Sequence, residues 1–159
     1  SDVYKRQEQA RRRLGMYFVK EFEVEPDKLL ALTFEPKLEQ TLIGRVKRSQ
    51  FDVGLVMDPQ LTEGIIKEIE PKIQEMTEKG LTPLIVTTSE LRLAFRRFME
   101  PSYPQLVVLA YQELPSETRI EPYGAIAIPD QSFPDEVLQA MNQQNTESEA
   151  NEDEVPVAA

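Results

Sequence analysis

The sequence predicts an α/β domain: a small, mainly parallel sheet with flanking helices, preceded by part of a helical subdomain and followed by a disordered acidic tail. Three observations lead there. The runs 83–87 and 106–110 are apolar almost without a break, the pattern of strands covered on both faces. Segments with apolar residues at i, i+4 and i+8 alternate with those runs, as in βαβ units. A strand-to-helix corner also recurs. Thr33-Phe34-Glu35-Pro36-Lys37-Leu38 and Val56-Met57-Asp58-Pro59-Gln60-Leu61 share one strand–acid–Pro–x–Leu pattern.

The first helix is expected over 8–23, with Leu14, Phe18 and Phe22 on one face and Met16 and Val19 widening it. Arg11, Arg12 and Arg13 point in three directions around it, so they form no single patch. A break at Glu25-Pro26-Asp27 precedes a strand over 29–34. Pro36 then opens a helix at a position where its missing N–H costs nothing. Leu38, Leu42 and Val46 extend that helix toward Arg48. A strand over 53–57 is followed by Asp58, a better N-cap than Glu35. The next helix carries Leu61, Ile65, Ile69, Ile73 and Met76 on one face, holds Pro71 inside, and stops at Gly80. After the strand at 83–87, Ser89 is expected to cap a helix faced by Leu91, Ala94, Phe95, Phe98 and Met99. A strand over 106–110 follows, then a final one over 120–128. Pro122 and Gly124 suit that last strand to an edge. A short helix is expected over 134–141.

The expected divisions are 1–28 as the tail of a helical subdomain, 29–50 as a strand–helix connection, 51–142 as the C-terminal α/β subdomain and 143–159 as the tail. The chain opens on Ser rather than Met and reads as part of something larger; residues 1–7 are set apart as a candidate scar. Residues 130–159 contain eight acidic groups and no basic one. With almost no large apolar residue after Met141, the end of the chain cannot offset its ordering entropy. It reads as a solvating tail or as a tether for a basic partner.

Composition narrows the function. Forty per cent of the 159 residues are apolar, enough for a core. The absence of Cys and His excludes disulfides, thiolate and imidazole metal sites, a Cys nucleophile and the usual serine triad within this chain. The net charge of −10 disfavours nucleic acid as a partner. No run approaches the 18 apolar residues of a membrane span. Neither Gly-rich phosphate loop occurs. The chain reads as a non-enzyme without cofactors. A carboxylate-dependent hydrolase would need two paired acids in a cleft, whereas Glu63, Glu70 and Glu78 fall on expected outer helix faces.

Three segments in order are distinctive: PLIVTTSELR at 83–92, VVLAYQELP at 107–115 and IEPYG at 120–124. In combination they resemble the C-terminal part of the export-gate family shared by bacterial flagella and type III secretion injectisomes, often called the FHIPEP family. The resemblance covers about residues 8–128. It implies a piece of a longer protein whose membrane helices lie upstream, so that the membrane is met only through parts absent here and this piece sits at the cytoplasmic face of the inner membrane. It implies self-assembly into a nine-membered ring that receives export substrates, their chaperones and the ATPase stalk protein, with no catalysis. Gln112 after Tyr111, and the IEPYG continuation, lean toward the injectisome branch. The long acidic tail departs from many family members. A free-standing adaptor or regulatory module is the rival reading, separated from the first by whether the reading frame continues upstream into membrane helices.

Five residues are candidates for partner or inter-subunit contact. Tyr111, Gln112 and Glu113 end what is expected to be a central strand, at the carboxyl end of the sheet where α/β folds usually present function. Their polar atoms either meet a partner or only fix the Leu114-Pro115 turn. Arg92 and Arg96 share a helix face at i, i+4, as a basic patch or a solvated surface. Truncating Tyr111 to alanine is expected to destabilise the domain.

Overall fold

The strands of the main sheet pair in parallel, so each connection must return to the opposite end of the sheet. It does so through helices and a hairpin from the first strand to the second, through one helix from the second to the third, and through a 3-10 turn and loop from the third to the fourth. The computed structural model describes residues 2–128. Its elements are α1 (Asp2–Phe22), β1 (Lys28–Phe34), α2 (Pro36–Ile43), β2 (Val46–Arg48), β3 (Val53–Leu55), α3 (Pro59–Glu78), β4 (Leu84–Thr87), α4 (Ser89–Met99), β5 (Val107–Ala110), a 3-10 turn (Tyr111–Glu113) and β6 (Arg119–Ile126). The sheet order is β5-β4-β1-β6, and β2 with β3 forms a separate antiparallel pair. The expected helix over 134–141 and the expected tail lie outside the described residues.

Helices α2, α3 and α4 cover one face of the sheet. There Leu32, Phe34, Ile85, Val108 and Ile126 pack with Leu38, Leu42, Ile65, Ile69, Ile73, Leu91 and Phe95. Helix α1 covers part of the other face, where Val19 joins Leu29, Ala31, Leu84, Val86 and Leu109. Strand β4 is buried along its whole length, which is why its sequence shows no alternation.

The α3 stripe is buried as expected, from Leu61 to Met76. Asp58 caps the helix, its Oδ1 accepting the Leu61 N–H at 2.8 Å, while Glu35 makes no side-chain cap. At the far end Gly80 takes φ 75°, and Leu81 and Gly80 donate to the Met76 and Thr77 carbonyls. That is a Schellman stop, which only a residue at ease with positive φ supports.

Several expectations are corrected. Helix α2 stops at Ile43 rather than near Arg48, because Val46–Arg48 pair with β3 instead of continuing the stripe. The expected strand over 53–57 is shortened to Val53–Leu55 and belongs to that hairpin, not to the main sheet. The strand expected over 29–34 is β1, which lies between β4 and β6 in the sheet. Strand β5 is an edge strand, not a central one. Strand β6 takes the expected edge position and runs 119–126. Its register against β1 slips between Pro122 and Gly124, leaving Tyr123 as the extra residue. Tyr123 turns toward α3, where the Lys79 ammonium donates to its hydroxyl at 3.1 Å.

The face of α1 is also different. Gly15 and Val19 are buried and Phe18 and Phe22 half-buried, whereas Leu14 and Met16 are each 52% exposed. Leu14, Phe18 and Phe22 do lie along one side, but the helix is rotated so that Gly15 faces the backbone of residues 113–114, after β5.

Candidate docking site at the carboxyl edge

All four parallel strands end on one edge of the sheet, and five elements meet there. The turn Tyr111–Glu113 follows β5 directly. Gln112 reaches the start of α4, its Oε1 accepting the Ser89 N–H at 3.0 Å. Thr88, not Ser89, occupies the N-cap position, and it makes no capping bond. The cap therefore comes from a residue distant in sequence, which local pattern cannot reveal. Replacing Gln112 by alanine should cost about 1 kcal/mol, the usual value of a lost cap. Chemical denaturation of the variant measures this; unchanged stability would remove Gln112 from the role.

Glu113 serves two neighbours. Its carboxylate accepts from Arg92 Nε at 2.9 Å, with both side chains mostly shielded from solvent. Its carbonyl lies against Gly15 of α1 so closely that a Cβ at that glycine would sit 1.7 Å from the oxygen. A cleft of about 410 Å³ opens beside this contact, lined by Arg12, Met16 and residues 112–117.

Behind the turn, the fully buried Thr87 hydroxyl donates to Glu39 Oε2 at 2.8 Å. Tyr111 is 40% exposed beside this pair. Its phenol pKa is raised above 10.0, first by loss of solvent and then by the Glu39 charge. The edge thus holds a polar cluster whose members mostly satisfy one another.

The structure brings Tyr111, Gln112, Glu113 and Arg92 together. Arg96 goes elsewhere. Its guanidinium donates to the Pro104 and Leu106 carbonyls at 3.3 and 3.2 Å and sits 4.0 Å from Glu100. Arg92 and Arg96 therefore do not make one basic patch, because each is turned to its own partner. Gly15 and Glu39 were missed by the sequence reading. A lone glycine between good helix formers was the only sign of the first, and nothing marked the second among 28 acids.

Among known families, residues 1–119 match the one described as the FHIPEP family. The chain belongs to the FHIPEP family. Low calcium response locus protein D of Yersinia pestis is 25% identical over 127 residues, covering 80% of this chain and 18% of that relative. Flagellar biosynthesis protein FlhA of Helicobacter pylori is 28% identical over 129 residues, again 80% of this chain and 18% of the relative. This chain thus spans about a fifth of the curated FHIPEP relatives it matches. The Chlamydia pneumoniae CdsV structure superposes with TM-score 0.65 at 25% identity, over 80% of this chain and 36% of that one. The structure of CdsV with CdsO matches with TM-score 0.60 at 25% identity, over 76% and 35%. Nonameric EPEC SctV-C shares the fold, with TM-score 0.60 at 20% identity over 73% and 34%. The mainly parallel sheet expected from the sequence is the sheet of these FHIPEP-related structures.

Proposed function

We propose that this chain is the last cytoplasmic part of a bacterial type III protein-export gate. In this reading it acts as a docking platform within a homo-oligomeric ring and performs no chemistry. Membership of the FHIPEP family across residues 1–119 carries the reading. A nonameric neighbour of the same fold supports the ring, and CdsV solved with CdsO supports a platform that holds a protein partner. Export substrates, their chaperones and the ATPase stalk protein are the proposed partners, with the membrane reached only through upstream helices. Among the described residues no helix is long and apolar enough to cross a membrane. Gln112 following Tyr111 favours the injectisome over the flagellum.

The carboxyl edge is the proposed contact surface, with Tyr111, Gln112, Glu113 and Arg92 at its centre. Arg96 retains a place only as support for the loop before β5. The test is Tyr111→Ser in the full-length gene: with Tyr111 40% exposed, its truncation should cost the fold less than the sequence alone suggests. Secretion of effector proteins should fall at least tenfold while the variant protein accumulates normally. Normal secretion and normal motility with normal abundance would reject the edge as a contact surface. Loss of motility with intact effector secretion would move the protein to the flagellar branch.

A further inference from the structure

Two surface features of opposite character lie away from the carboxyl edge. The first is Phe51, 88% exposed in the turn between β2 and β3. That turn is held rather than free. Arg97, in the last turn of α4, pairs with the Asp52 carboxylate and donates to the Val53 carbonyl at 3.3 Å. The Ser49 N–H donates to the Asp52 carbonyl at 2.8 Å. Arg48 turns inward to the Glu90 carbonyl at 3.1 Å, so the hairpin is tied to both ends of α4. An aromatic on a pre-ordered turn loses little further freedom on binding, as anchors of interfaces do. The charge left free near it is positive. Lys47 is exposed, and Asp52, the sole acid between Gly44 and Met57, is already paired with Arg97.

The second feature is a cleft of about 370 Å³ between the end of α3 and the loop before β5. Ile73 and Tyr103 give it apolar surface, and Glu70, Gln74, Glu78 and Gln105 complete its lining. Glu70 and Glu78 are exposed and form an ion pair with no base among the described residues. Benzene occupies an apolar cavity of about 150 Å³, so the cleft has room for a phenyl ring with another side chain beside it. Helix α3 leads into β4 and α4 into β5, which places the cleft and the last turn of α4 at the amino edge of the sheet.

An exposed aromatic with a free cation thus matches an apolar cleft with two free acids. Within one copy they do not meet, because Phe51 is almost wholly solvated. We propose that Phe51 of one copy enters the α3 cleft of the next, with Lys47 against Glu70 and Glu78. Knob and socket are different surfaces, so the contact is head-to-tail and can repeat around a ring. It names a neighbour contact for the homo-oligomer of the preceding subsection and rests on that reading for its place in the assembly.

The chain has no cysteine, so single cysteines can report the contact. Gln50→Cys sets a thiol beside Phe51, and Gln105→Cys sets one at the cleft; both positions are exposed. The two variants of the full chain are mixed at about 1 mM, since mass action must populate a contact this small, and are then mildly oxidised. The mixed disulfide dimer should exceed either like dimer about tenfold, and adding Phe51→Ala should remove that excess, as loss of an anchor does. The exposure of Phe51 spares the fold from this change. Lys47→Glu in the first variant should also remove the excess, and Glu70→Lys with Glu78→Lys in the second should then restore it. No dimer, statistical pairing, a majority of like dimers, indifference to Phe51→Ala or failure of the charge reversal to restore would each overturn the contact. The ring is tested apart from it, by the mass of the full-length protein in detergent. A full-length ring with only statistical cross-linking would reject this contact alone, whereas a full-length monomer would reject the ring and the contact's place in it.

Discussion

Phe95→Ala is expected to cost about 3–5 kcal/mol, the range for emptying a buried phenylalanine site. Phe95 is fully buried on α4, and its ring meets Phe34 of β1 edge-on, with centroids 4.9 Å apart and planes at 84°. That geometry adds about 0.5–1.5 kcal/mol beyond burial alone. The pair joins the helix layer to the sheet at the strand between β4 and β6. A domain is stable by only about 5–15 kcal/mol in total, so the variant should lose about a fifth or more of its margin. Urea denaturation and a thermal melt check this, the latter with a fall on the order of 10 °C. Phe98→Ala is the control. It sits only half-buried on the same helix, 5.9 Å from the Phe95 ring, and should cost clearly less. Equal losses at the two positions would contradict the packing described.

The layers of this fold were legible because burial was continuous. In α3 every large apolar residue recurs at helical spacing, and β4 has no polar interruption before Thr87. Asp58 was legible as a cap because capping is local: a carboxylate three residues before the amide it accepts from. The same logic failed at α4. Ser89 looked like a cap by type and position, but the acceptor is Gln112, 23 residues on, which sequence pattern cannot connect. It failed again at Val46, where one residue fitted both the end of a helical stripe and a strand partner for Leu55. Three-residue strands are too short for period two to outvote period 3.6. The candidate site was half legible. Tyr111, Gln112, Glu113 and Arg92 do converge, but the reason is that Glu113 and Gln112 tie the turn to α4, whereas the sequence offered only a shared position at a strand end. Arg96 shared a helix face with Arg92, yet its guanidinium reaches the opposite end of α4, since a long side chain is directed by its acceptors as well as by its Cα.

Gly15→Ala tests whether α1 is truly seated on this edge, and the two relevant forces have opposite signs. By helix propensity alone the change should stabilise α1 by about 1 kcal/mol. By contact it should do the reverse, because the new Cβ would lie 1.7 Å from the Glu113 oxygen and 2.9 Å from its carbonyl carbon. Both atoms are backbone and cannot rotate away. The turn that carries them is held on its far side by Arg92 and by the Gln112 cap, so α1 is the element that must move. Net destabilisation of about 1–3 kcal/mol is expected, as for overpacking at a fixed contact. Amide hydrogen exchange should locate it: protection falls over residues 10–22, where Val19 and its half-buried neighbours leave the sheet, while β4 and α3 stay protected. A stabilised variant would mean that helix and turn do not touch. Combining Gly15→Ala with Arg92→Ala sharpens the result. Once Arg92 no longer holds Glu113, the turn can retreat from the added methyl, so the double variant should lose less than the two single losses together. Additive losses would show that α1 and α4 do not communicate through Glu113, and that the carboxyl edge is two separate contacts rather than one joint.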